Sequence, residues 1–117
     1  MSIGRVACLC ILAAVLVLTA GCSSYAFGDV LYSDGTLSIG IENTGEPRQV
    51  TVQVTIFDTT GFSQQEIYKK AEYVDLRSGA NEYLVSIDLS PGTYKLYLYV
   101  LVDDARTTTV IRDITIP

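Results

Sequence analysis

Apolar and polar positions alternate with a period of two along most of the chain. Within residues 36–43, Leu37, Ile39 and Ile41 share one face, and Ser38, Gly40 and Glu42 the other. Val50, Val52, Val54 and Ile56 then alternate with Thr51, Gln53, Thr55 and Phe57. Tyr83, Val85, Ile87 and Leu89 alternate with Leu84, Ser86 and Asp88. This period is the signature of a β-strand, since a helix repeats its apolar positions every three to four residues. The β-branched side chains strengthen the assignment, because they fit a pleated surface well. Residues 94–102 set Tyr94, Leu96, Leu98, Val100 and Val102 against Lys95, Tyr97, Tyr99 and Leu101. That run is apolar on both faces, which predicts a central strand.

The remaining segments fit the same scheme less cleanly. Residues 107–116 form a last strand with Val110, Ile114 and Ile116 toward the core. Arg112 interrupts that face, which predicts a bulge or a lean toward solvent. Residues 30–32 make a weak strand. Residues 64–72 carry helix-compatible propensity, yet in a period-two chain residues 66–76 read as a long, half-exposed edge strand. Lys69 and Lys70 suit an edge, where charge opposes stray pairing. Turn signals fall at residues 44–47, 58–61, 77–81, 90–92 and 103–106. Seven strands at this spacing predict an all-β fold: one antiparallel sandwich, immunoglobulin-like, with two apolar faces packed together.

The first 21 residues obey a different pattern. One positive charge, Arg5, precedes an uncharged apolar run over residues 6–20. As a helix that run reaches roughly 22 Å, short of the about 30 Å hydrocarbon core of a bilayer. The expectation is a cleaved signal-peptide helix rather than a membrane span. The chain then divides into a leader over 1–21, a short tether over 22–28 and a sandwich domain over 29–117.

The leader ends in Leu18, Thr19, Ala20, Gly21 and Cys22, followed by Ser23 and Ser24. This run resembles the lipobox of prokaryotic lipoproteins, with Thr19 standing where that family usually has Leu, Val or Ile. The resemblance implies that Leu18, Thr19, Ala20 and Gly21 are read by a dedicated signal peptidase. It also implies that the Cys22 thiol carries a diacylglyceryl group and becomes the first mature residue. Cysteine usage agrees. Cys8 and Cys10 leave with the leader, and no cysteine follows Cys22. A lone exposed thiol would be a liability in an oxidising compartment. Two acyl chains meet the requirement for stable anchoring without a span. The implied location is the outer surface of the cytoplasmic membrane, or the periplasm or outer membrane of a diderm. Tyr25 and Phe27, just after the anchor, either sit at the headgroups or pack on the edge of the domain.

A second resemblance covers most of the remaining chain. Ile41-Glu42-Asn43-Thr44-Gly45-Glu46 with the following strand, Leu76-Arg77-Ser78-Gly79, and Leu89-Ser90-Pro91-Gly92-Thr93-Tyr94 are similar to CARDB-type immunoglobulin-like domains. Those occur in surface and secreted proteins of archaea and bacteria. The acidic, asparagine-rich finish common among them is absent here. The residues have their own physical reading. Pro91 and Gly92 turn the chain, and Tyr94 can fix the corner through its hydroxyl.

Composition narrows the chemistry. The 117 residues include no histidine and no tryptophan, and the net charge is −5. Without imidazole there is no Ser-His-Asp or Cys-His machinery and no His-containing zinc site. A negative chain is a poor nucleic-acid binder. No glycine-rich phosphate loop or nucleophile elbow occurs, so neither cofactor nor catalytic residue is expected. Asp103 and Asp104 are a candidate calcium site if Asp29, Asp58 or Asp88 folds near them. Tyr97, Tyr99 and Leu101 should align with Phe57 and Thr55 on one side and Ile111 on the other. That makes a candidate docking face for another envelope protein or a polysaccharide. The expected function is a lipid-anchored, non-catalytic binding or accessory module. The alternatives are a purely structural or adhesive surface protein, a calcium-binding module, or a small enzyme using the aspartate loops.

Overall fold

The computed structural model describes residues 24–117, so the leader, Leu18, Thr19, Ala20, Gly21 and Cys22 lie outside the described residues. Seven strands follow in order: β1 (Tyr25–Ser33), β2 (Thr36–Asn43), β3 (Arg48–Asp58), β4 (Gln65–Leu76), β5 (Gly79–Ser86), β6 (Gly92–Val102) and β7 (Ala105–Ile116). All pairings are antiparallel. One sheet has the order β1-β2-β5 and the other β4-β3-β6-β7. In a constant-type immunoglobulin sandwich the fourth strand belongs with the first two. Here β4 folds back on β3 instead and edges the larger sheet. The long edge strand expected at 66–76 is therefore present, and the helical propensity of residues 64–72 yields to sheet pairing.

The inward faces are the ones the alternation marks. Leu37, Ile39, Val52, Val54, Ile56, Leu96, Leu98 and Val100 are fully buried. Burying a side chain of this size stabilises a fold by about 1.5–3 kcal/mol relative to leaving it exposed. Val110, Ile114 and Ile116 of β7 are only partly buried, as suits an edge strand. Asn43, 1% exposed, is satisfied locally. Its amide donates to the Glu46 carbonyl and its Oδ1 accepts from the Gly45 amide, each over 2.9 Å, which fixes the β2–β3 turn. No buried side-chain polar atom among the described residues lacks a partner. Residues 24–117 thus close their own core and fold as one unit.

Four expectations need correction. The tether does not run to residue 28, because Tyr25–Gly28 already belong to β1. The Ser24 carbonyl accepts from the Thr44 amide at 2.9 Å and from its hydroxyl at 3.2 Å. Of the two places expected for Phe27, it takes the one in the domain, 8% exposed within the core.

Residues 77–81 are not all loop, since Gly79, Ala80 and Asn81 pair with Asn43, Glu42 and Ile41. The Asn81 side chain closes the turn ahead of them, accepting from the Arg77 amide and donating to the Arg77 carbonyl. At its other end β5 stops at Ser86, leaving Ile87 and Leu89 outside the strand. The Tyr32 hydroxyl draws this linker aside, donating to the Ile87 carbonyl at 3.0 Å and accepting from the Leu89 amide at 2.9 Å.

Arg112 stays on the inward side of β7, opposite Leu96. The bulge in β7 lies earlier, across from Val100 and Leu101. A second bulge, between Phe27 and Val30 of β1, begins at the Phe27 carbonyl. Arg112 donates to that carbonyl over 3.1 Å. Gly40 lies beneath this bulge, where a Cβ would sit 3.4 Å from the Asp29 backbone.

Candidate functional site

The outer face of the four-stranded sheet gathers the residues expected to form a docking surface. Register sets Thr55 opposite Tyr97, Gln53 opposite Tyr99 and Thr51 opposite Leu101. Tyr97 in turn faces Ile111 on β7. The Phe57 and Tyr97 rings meet at 5.3 Å between centroids with planes tilted by 53°, a favourable aromatic geometry. Thr55 is only 6% exposed and forms the floor of the face, so it offers no contact of its own. The Arg106 guanidinium lies over the Tyr99 ring, 4.5 Å from its centroid. Such a cation–π contact holds both groups in place.

Tyr73 extends the face, although the alternation pattern does not mark it. It lies opposite Thr51 on β4 and is 74% exposed. The missing signal was the pairing of β4, because without that register Tyr73 could not be assigned a face. Gln49, Thr51, Tyr73, Leu101, Asp103 and Asp104 border a shallow recess of about 210 Å³. That is below the usual size of a small-molecule cleft. The face therefore suits an extended partner better than an enclosed ligand.

Asp103 and Asp104 have a backbone reason for their place in the chain. Both residues have positive φ, 51° and 64°, as a two-residue hairpin turn requires, and aspartate tolerates that conformation. Asp103 pairs with Arg48 at 3.0 Å. Asp58 lies toward the other end of the sheet, opposite Tyr94, where its carboxylate caps the Thr60 amide. That hydrogen bond holds the Asp58 pKa below the ordinary value. Among the described residues no three acidic, Cys or His side chains come together as a metal site.

The corner at Pro91, Gly92 and Tyr94 is structural, as its chemistry implied. The Tyr94 hydroxyl donates to the Ser90 carbonyl over 2.6 Å, and the ring is 4% exposed. Burial raises the Tyr94 pKa, with Asp58 adding to it. Thr60 reaches the same corner, accepting from the Thr93 amide and donating to the Thr93 carbonyl.

A further polar cluster joins the edges of the two sheets. The Tyr83 hydroxyl of β5 donates to Glu72 of β4 at 3.1 Å, and Lys70 pairs with Glu72 at 3.1 Å. Burial, with Glu72 beside it, pushes the Tyr83 pKa up to about 12. Lys70 and then Tyr83 hold the Glu72 carboxyl below its ordinary value. Tyr83 therefore stays protonated near neutrality and serves as a donor between sheets.

No protein-family model matches the chain. No curated protein matches its sequence. Among solved structures it is similar to part of a Bacteroides fragilis protein assigned as a beta-galactosidase. The TM-score is 0.54 and the identity 19%, and the match covers 81% of this chain and 16% of the other. At that identity the likeness supports the sandwich fold alone.

Proposed function

We propose that this chain is a lipid-anchored cell-envelope protein whose sandwich acts as a non-catalytic binding or accessory module. The anchor is Cys22 with its diacylglyceryl group, after cleavage behind Gly21. Only Ser23 then separates the lipidated residue from Ser24, whose carbonyl is held by Thr44. So short a connection keeps the sandwich against the membrane surface. Two acyl chains supply lasting attachment.

The observation that carries the binding role is the alignment of Phe57, Tyr97 and Leu101 with exposed Tyr73 and Ile111 on one sheet face. Rigid aromatic side chains give a partner large contact area at small entropic cost. The partner is another envelope protein or a polysaccharide. A non-catalytic role agrees with the absence of histidine and with tyrosines used as fixed donors. The test is pull-down of the purified cell-wall polysaccharide and envelope-protein fractions with residues 24–117. Tyr97→Ala combined with Tyr99→Ala should abolish retention while the melting transition stays cooperative. Retention equal to that of the unaltered domain would defeat the docking role and leave a purely structural or adhesive one.

A further inference from the structure

The β4 edge is open, since among the described residues β4 pairs with β3 alone. Each edge strand carries backbone donors and acceptors that another strand can take up. The edges are not equivalent. β1 and β7 are interrupted by bulges, which disrupt the ladder and twist an edge away. β5 spans 8 residues and β4 spans 12. From Tyr68 to Leu76, β4 follows β3 without a register shift, and its own bulge lies at the Glu66 end.

We propose that this edge pairs with the same edge of a second copy, joining two four-stranded sheets into one antiparallel sheet of eight about a two-fold axis at Ala71. A two-fold axis perpendicular to the sheet keeps each side chain on its own face. The axis must then lie midway between one residue and the same residue of the second copy, and these two face each other. Centring on Lys69, Lys70 or Glu72 sets like charges directly opposite one another, which is destabilising. Centring on Ala71 places a small neutral residue at the axis. Each Lys70 then lies opposite the second copy's Glu72, each Lys69 opposite its Tyr73, and each Tyr68 opposite its Val74.

The straight part of β4 supports this choice. The paired segment, residues 68–74, is centred on Ala71 and stops short of the bulge at Glu66. Lys70 and Glu72 already form a bridge within one chain, with side chains 56% and 44% exposed. In the pair these four groups form a ring of alternating charge. The same lysines that discourage other registers admit this one. Tyr73 sits at the seam, so the two outer faces merge into one surface twice as wide. The Ser24 ends emerge at opposite ends of the pair. Two chains anchored in one membrane would therefore pair with their strands along its surface. The pairing itself does not depend on the anchor.

Residues 24–117 contain no cysteine, which makes the test direct. Sedimentation equilibrium should show a monomer–dimer equilibrium for this unit. Lys70→Glu should abolish the dimer, and Lys70→Glu with Glu72→Lys should restore it. On mild oxidation Ala71→Cys should form a disulfide-linked dimer, because residues directly opposite in antiparallel strands lie within disulfide reach. Lys69→Cys, opposite Tyr73 rather than its own copy, should form no disulfide-linked dimer. The proposal is overturned by a unit that remains monomeric as concentration rises, by a dimer indifferent to Lys70→Glu, or by equal cross-linking at positions 69 and 71. Dimers formed through another edge would appear as one of the last two results.

Discussion

The Arg112 guanidinium on β7 donates to the Phe27 carbonyl on β1 over 3.1 Å, crossing from one sheet to the other. The Thr108 hydroxyl repeats the crossing to the Tyr25 carbonyl at 2.9 Å. On the opposite side of the sandwich Tyr83 and Glu72 do the same at 3.1 Å. Polar side chains on the edge strands thus clasp a core that the central strands fill.

Arg112→Met retains much of the apolar stem and removes the donor. A hydrogen bond from a charged group contributes about 1.5–3 kcal/mol, and each kcal/mol lowers the melting temperature of such a domain by about 4–8 °C. Thermal unfolding of residues 24–117 followed by circular dichroism measures the loss. A melting temperature unchanged from that of the unaltered domain would remove Arg112 from the clasp.

Gly92 has φ of +155°, and a Cβ there would collide with the Thr60 side chain. Gly61 has nothing within 4 Å of the corresponding position. Gly92→Ala should therefore destabilise by more than about 1 kcal/mol, as substitutions at incompatible backbone positions do. Gly61→Ala should change stability little. Urea titration of the two variants side by side gives the comparison, and equal midpoints would contradict the account of the corner.

Tyr83 makes the fold sensitive to alkali. Its pKa rises from 10.0 to about 12 in the folded protein. Between those values the folded state holds a proton that the unfolded state has released. Stability from this group is therefore complete below pH 10 and is lost as pH rises toward 12. Tyr94, also raised by burial, acts in the same direction. Tyr83→Phe should flatten the alkaline fall in unfolding free energy, though it also removes the bond to Glu72. An alkaline slope identical to that of the unaltered domain would exclude Tyr83 as its source.

The Asp103–Asp104 turn serves the backbone. Asp104→Gly should be neutral or slightly stabilising, since glycine accepts φ of 64° without strain. Millimolar calcium should leave the melting temperature where it was. A rise in the presence of calcium would favour the metal reading.

The strands were legible because their alternation is clean and their turns carry Gly, Pro, Asp or Asn. β2 runs over 36–43 as its pattern implied, and β6 proves central with apolar residues on both faces. What the pattern could not reveal depends on partners distant in sequence. β1 begins at Tyr25 because Thr44 holds Ser24. β5 ends early because Tyr32 captures the following linker. Arg112, a break in periodicity, has its partner 85 positions away. The candidate face was readable on β3, β6 and β7, whose mutual register follows from short turns and matching periods. Tyr73 was not, because its strand carries mixed propensity and only pairing with β3 assigns its side. Nor could local sequence reveal that Arg106 folds over Tyr99.

The central claim is that the sandwich is held to a membrane by lipid on Cys22. Intact mass spectrometry of the mature protein, extracted from membranes of a bacterial host, tests it most directly. The account predicts a chain beginning at Cys22 and bearing a diacylglyceryl group, with Cys22→Ala released from the membrane fraction. An unmodified chain with another first residue, or a Cys22→Ala form that stays in the membrane fraction, would contradict it.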